Sequence, residues 1–399
     1  VDFGGASAFT SNTVVTQATT MNVDVVDLDG GSASTHFLTI NSPLTLNVDS
    51  IDDGDGNGSP TNRFDDSMVI NSFGLLTVNF NDPNDSWVMN GALTLGGVGT
   101  VLLAGADVEL AGTTSVIGVA QVNARFDLTG VVDVASGDAF RPAGGNGNNP
   151  NRILGGTING PGELVLNANL VGHGTINSDV LVNTGGSALS ADDGTLVVNG
   201  ALTVNGAVGT RDSDGIFHVA NPWSTAGGTL LTSGGQVTGA TITNDGVTQG
   251  FGEIALTGNF FNNGQIAATG GTNTLTFNGT VFFAGNLTIG VAREFRIDTG
   301  GMINQGTITM NGGTHVASEF DHEGTLNVGS DFSSTIDAVT QFSTGSVTNI
   351  NVGLGGGLNL AESAVIQPGA TFAGSGRLFV NSGTTTTLEH QANVGVEVF

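Results

Sequence analysis

The chain has 399 residues, with no Cys, eight basic residues that are all Arg, 35 acidic residues and a net charge of −27. That balance excludes disulfide staples and thiolate metal sites, all lysine-based chemistry, and partners that are polyanions, so neither nucleic acid nor anionic lipid is expected to bind. Gly contributes 65 residues, more than twice the roughly 7% average share; it falls at regular breaks between apolar alternations and would destabilise helices there.

Residues 1–36 are rich in Thr and Asp, with one strand expected at 21–28 (MNVDVVDL). Two short strands follow in 37–48, hinged at Asn41-Ser42-Pro43, then an acidic loop at 50–66 and further strand at 67–80. This makes 1–86 a less regular N-terminal β region, for which an antiparallel sandwich is a minority alternative. From Trp87 the pattern is cleaner: pieces such as ALTLGG, DVELAG and VVDVASG carry four to six alternating residues with Gly between. Such alternation marks strands with one face buried. Residues 138–152 and 210–225 break the rhythm and are expected to protrude as loops. The repeat otherwise fills 87–383, and 384–399 reads as a C-terminal strand pair or cap.

Asn-Gly or Asn-Ser closes an alternation at Asn71, Asn90, Asn159, Asn177, Asn199 and Asn278. The close intervals are 19, 18 and 22 residues. Asn and Gly tolerate the left-handed backbone of a tight corner. A recurring unit of roughly 20 residues with two or three short strands predicts an all-β fold, a parallel β-helix or β-solenoid whose coils rest on one another. Corner Asn residues are then placed to form side-chain ladders between coils.

The stretch 172–206 (GHGTINSDVLVNTGGSALSADDGTLVVNGALTVNG) resembles the repeats of secreted bacterial β-helical surface proteins. These include autotransporter passenger domains, filamentous-haemagglutinin-like adhesins and planctomycete-type exoproteins. Residues 227–246 and 260–279 have the same character. The resemblance implies a β-helical fold and export, and it leaves function open among adhesins, matrix proteins and fibres. No protease triad and no C-terminal membrane-barrel segment of the autotransporter kind is present in the sequence, and no apolar run approaches the roughly 20 residues of a membrane-spanning helix. A start at Val1 fits either a processed mature chain with its export signal removed or a portion of a longer one.

The best local motif for chemistry is Asp52-Asp53-Gly54-Asp55-Gly56-Asn57-Gly58. Counted from Asp53, oxygen-bearing side chains fall at positions 1, 3 and 5 and Gly at 6, as in a calcium loop. Position 12 is Phe64, so Asp65 or Asp66 would have to supply the last ligand. Calcium at Asp53, Asp55, Asn57, Asp65 and Asp66 competes with a solvated acidic turn. Asp82/Asp85 and Asp212/Asp214 are weaker oxygen clusters. Asp192-Asp193 reads as a corner turn ahead of a catalytic pair. His315 and His322, near Glu319, Asp321 and Glu323, are a weak zinc candidate. His218, with Asp212, Asp214 and Trp223, resembles a sugar-binding or hydrolytic corner, for which loop packing on the solenoid is the plainer explanation. The run 353–357 (GLGGG) is followed by no helix and is not a phosphate cradle.

The reading is a non-enzymatic, extracellular structural protein. It would be a subunit of a fibre, surface layer or matrix, self-associating end to end into a homopolymer through strand edges at 13–26 and 394–399. An adhesin binding glycans through its two loops is the alternative, and a β-helical polysaccharide lyase or hydrolase ranks third.

Overall fold

The computed structural model describes residues 88–387 in full apart from short gaps at 90–91, 97–101, 104–106, 146, 270–273, 291–292, 299, 343–348 and 382–383; outside that range it describes only the backbone of strands. All the regular elements among the described residues are strands, and they pair in parallel, each with strands one coil before and after. The chain is a β-solenoid with coils of about 20 residues. It divides into two compact units, residues 1–190 with 194–202, and 191–193 with 203–399.

A coil has three faces. In the first unit one coil runs Thr113–Val116, Val119–Val122 and Phe126–Leu128. The next coil lays Val131–Val134, Ala139–Pro142 and the start of Asn151–Asn159 on those three strands. Inside and outside alternate residue by residue, because successive side chains of a strand point to opposite faces. Val132, Val134, Phe140 and Ile153 point in and are at most 1% exposed. Burying each such side chain contributes about 1.5–3 kcal/mol. Backbone hydrogen bonds run from coil to coil, as in Gly130 N to Leu110 O at 2.9 Å and Thr157 N to Gly130 O at 2.9 Å.

Several strands turn a corner without ending. Asn151–Asn159 pairs with one face before Leu154 and with the next after Thr157. Gly155, at φ 84°, takes the left-handed conformation that the bend demands. The second unit repeats the device in Thr229–Gly239, Glu294–Asn304 and Ser333–Phe342.

The strands of 1–86 also pair in parallel: Asp2–Ala8 lies on Thr19–Asp27, and Thr19–Asp27 on Leu44–Asp52. A sandwich of hairpins would pair antiparallel, so that alternative is replaced by a continuation of the solenoid. Residues 384–399 continue it too, with Thr386–Leu388 on Ala364–Ile366 and Gly395–Val398 on Arg377–Val380. Both expected loops shrink. Ala139–Pro142 and Asn151–Asn159 are strands, which leaves 143–150 between them. Ile216–Val219 and Trp223–Ser224 are strands as well, which leaves 211–215 and 220–222.

Candidate functional site

The expected Asn ladder forms at a corner of the first unit. Asn177 Nδ2 donates to Asn159 Oδ1 at 2.6 Å, Asn199 Nδ2 to Asn177 Oδ1 at 2.7 Å, and Asn159 Nδ2 to Asp133 Oδ1 at 3.1 Å. Nearby, Arg125 bridges Asp107 at 2.8 Å and Asp127 at 2.7 Å, and Arg152 closes on the same Asp127 from the next coil. Asn151, wholly buried, holds the 143–150 loop: it donates to Gly144 O at 2.6 Å and accepts from Phe126 N at 3.1 Å. That loop is tied down by its own amide anchor.

A second polar ladder lies inside the second unit. Thr225 Oγ1 donates to Asn244 Oδ1 at 3.0 Å, and Asn244 Nδ2 donates to Asn262 Oδ1 at 2.5 Å and Gln265 O at 3.0 Å. Further along, Asn304 Nδ2 lies 2.7 Å from His322 Nδ1. Beside this ladder runs an aromatic column. Phe260 and Phe277 are 4.9 Å apart and Phe277 and Phe295 5.1 Å; His315 then stands 5.5 Å from Phe295 and 4.9 Å from Phe320, and His322 5.4 Å from Phe320.

This arrangement corrects the zinc reading. His315 and His322 both point into the core, with the Phe320 ring between them. Glu319, Asp321 and Glu323 are not buried with them. Among the described residues no three acidic, His or Cys side chains converge as metal ligands. Burial drives both imidazoles down to about 4, and for His322 the nearby His315 adds to the effect. They are neutral core rings.

The sugar-binding corner is corrected as well. Trp223 is 6% exposed and packs edge-on against Phe217 at 6.5 Å, inside the coil. His218 Nδ1 lies 2.8 Å from Thr238 Oγ1, one coil on. Asp212 Oδ1 accepts from Gly215 N at 2.7 Å and Oδ2 from Asp193 N at 3.2 Å. The Asp192 carboxyl hydrogen-bonds Asp212; burial first, then that bond and the Asp212 charge, raise its pKa above the ordinary carboxylate range. Glycosidic chemistry needs two carboxyls on opposite sides of a sugar. These two hold each other and the turn, as a corner does.

Asp53, Asp55, Asn57, Asp65, Asp66, Asp82 and Asp85 lie outside the described residues. One open groove of about 500 Å³, not foreseen from the sequence, is lined by Asp214, Gln236, Glu253, Thr276 and Asp298 on the outside of the second unit. Its inner carboxylate is already committed: Glu253 accepts from Gln236 Nε2 at 2.7 Å and from Asn278. Asp298 is within 3.5 Å of Arg296, which also pairs with Glu294 at 2.7 Å. The groove is a polar shelf on which Glu253 and Asp298 are already engaged by neighbouring side chains. Comparison with protein-family models, with curated proteins and with solved structures finds no match.

Proposed function

We propose that the protein is an extracellular structural protein, a subunit of a fibre, surface layer or matrix, and that it works by being continuous. The observation that supports this most is the parallel coil-on-coil register within each unit, reinforced outside by the Asp133–Asn159–Asn177–Asn199 ladder and inside by Thr225–Asn244–Asn262. Load along the coil axis is carried by many backbone hydrogen bonds in parallel, each coil resting on its neighbours. Polar side chains of the conspicuous candidates serve turns, ladders and core packing in this reading, and the protein is not an enzyme.

Assembly would be end to end. Thr19–Asp27 is paired on both sides, with Asp2–Ala8 and Leu44–Asp52, so most of the edge expected at 13–26 is already taken. Among the described pairings, Asp2–Ala8 has Thr19–Asp27 as its partner, and Gly395–Val398 has Arg377–Val380. A strand paired on one side offers its other edge to an added strand. The net charge of −27 opposes association, so salt or calcium at Asp53–Asp66 would promote it by screening and by ligation. Electron microscopy of the purified chain in low salt, in 150 mM salt, and in calcium or excess chelator tests the reading. Filaments that lengthen with salt support it. Filaments intact in chelator remove the calcium part, and single particles under every condition remove the assembly.

A further inference from the structure

A notch of about 580 Å³ opens on the outside of the second unit where Phe332, Leu354, Gly357, Arg377 and Phe379 meet. Its origin is a missing side chain. Ser333, Gly357 and Arg377 occupy one outward column on three successive coils. At the middle level there is no Cβ, and the Phe379 ring from the coil beyond leans into the space: a Cβ on Gly357 would stand closer than 3.0 Å to that ring. Gly357 is buried although its position faces outward.

The walls and rim differ in kind. Phe332 and Phe379 are half-buried rings on either side, and Leu354 at the lip is 71% exposed. Asp331, Ser333, Ser375 and Arg377 are exposed around the opening. Asp331 sits at φ 62° with its carboxylate over Gly355, and its N–H donates to Leu354 O at 3.1 Å, which fixes the lip. One cation and one anion leave the rim neutral on a chain of net charge −27. The volume is within the roughly 300–1,000 Å³ of small-molecule sites, which combine apolar walls with a few polar groups that set orientation.

The geometry points to a saccharide site in which one neutral pyranose ring of an oligosaccharide enters the notch. The C–H faces of such a ring match the Phe332 and Phe379 walls, and its hydroxyls meet the Asp331 carboxylate, the Arg377 guanidinium and the two serines. A purely apolar ligand would desolvate the exposed Asp331 carboxylate and the two serine hydroxyls without offering them hydrogen bonds, and a polyanion would meet the acidic field of the chain. This site does not depend on end-to-end assembly.

The test is binding of the whole chain to an array of neutral oligosaccharides, followed by titration calorimetry with cellohexaose, maltohexaose and chitohexaose. Wild type is expected to bind at least one. Asp331→Asn keeps a residue that tolerates the left-handed backbone, and Leu354→Ala truncates an exposed side chain, so neither threatens the fold; each is expected to weaken binding at least fivefold. Phe379→Ala is expected to weaken it at least tenfold, with unchanged circular dichroism as its control. Val339→Asp, 54% exposed on a different face, is expected to leave affinity unchanged. Absence of binding to every saccharide, or equal binding by Asp331→Asn, Leu354→Ala and wild type, overturns the site.

Discussion

Replacing His315 by Phe removes a titratable ring from the middle of an aromatic column while keeping the column aromatic. His315 is 1% exposed, its Nδ1 is 3.3 Å from Phe295 O, and its Nε2 is buried with no hydrogen-bond partner. Burial lowers its pKa to about 4 in the fold, against roughly 6.5 in an unfolded chain. The folded state therefore holds the neutral ring, and the unfolded chain takes up a proton first as pH falls. Stability is fully present above pH ~6.5 and is lost on the way down to ~4. At pH 5 the loss from this one group is about 2 kcal/mol. Phe at 315 is bulkier and costs about 1–3 kcal/mol through overpacking, but that cost is the same at every pH. Urea unfolding of wild type and His315→Phe at pH 7.5 and pH 5.0 separates the two contributions. The variant is expected to lose about 2 kcal/mol less than wild type between those pH values. Equal losses within about 0.5 kcal/mol would refute the assignment of a neutral, sealed imidazole.

The two polar ladders differ in burial, so equal truncations should differ in cost. Asn177→Ala on the outside is expected to cost about 1 kcal/mol, and Asn262→Ala inside, which leaves buried Asn244 Nδ2 with Gln265 O as its one remaining acceptor of two, about 2–3 kcal/mol by the same urea midpoints. Gly239 stands at φ 128° with Val219 O where a Cβ would be, whereas a Cβ on Gly185 would meet nothing within 4 Å. Thermal melts should show Gly239→Ala losing several kcal/mol and Gly185→Ala within about 0.5 kcal/mol of wild type. Phe277→Ala removes ring pairs with both Phe260 and Phe295 and is expected to cost about 3–5 kcal/mol. Asp192→Asn should raise stability at pH 8 and do less at pH 4, because the raised pKa of Asp192 favours the fold at low pH and that contribution is lost as pH rises through it; equal effects at both pH values would contradict the shared proton with Asp212.

Alternation made the strands legible, and Asn-Gly spacing made the coil legible, because both are set by neighbours in sequence. What failed depended on neighbours a coil away. Gly234-Gly235 reads as a break, yet Thr229–Gly239 pairs on through it around a corner. Phe140 lies among Pro, Gly and Asn that suggest a loop, but it is an inward residue packed edge-on against Phe126 at 5.7 Å. Trp223, in a polar stretch, looked like a surface aromatic for the same reason. In THVASEFDH (Thr314–His322) the alternation changes phase at Ser318-Glu319, so the sequence did not show that both histidines face the core. Asp192 was legible as a corner turn and Asp212 as part of an oxygen cluster, while their pairing across a coil was not, and the notch at Gly357 was hidden because its walls come from three coils.

Oriented fibres of the assembled protein give the most direct test of a solenoid that serves as a continuous structural element. Strands lie across the coil axis with about 4.8 Å between neighbours. Subunits stacked end to end must then give X-ray diffraction with a sharp reflection near 4.8 Å along the fibre axis. Failure to form fibres, or a 4.8 Å reflection perpendicular to the fibre axis, would contradict the account.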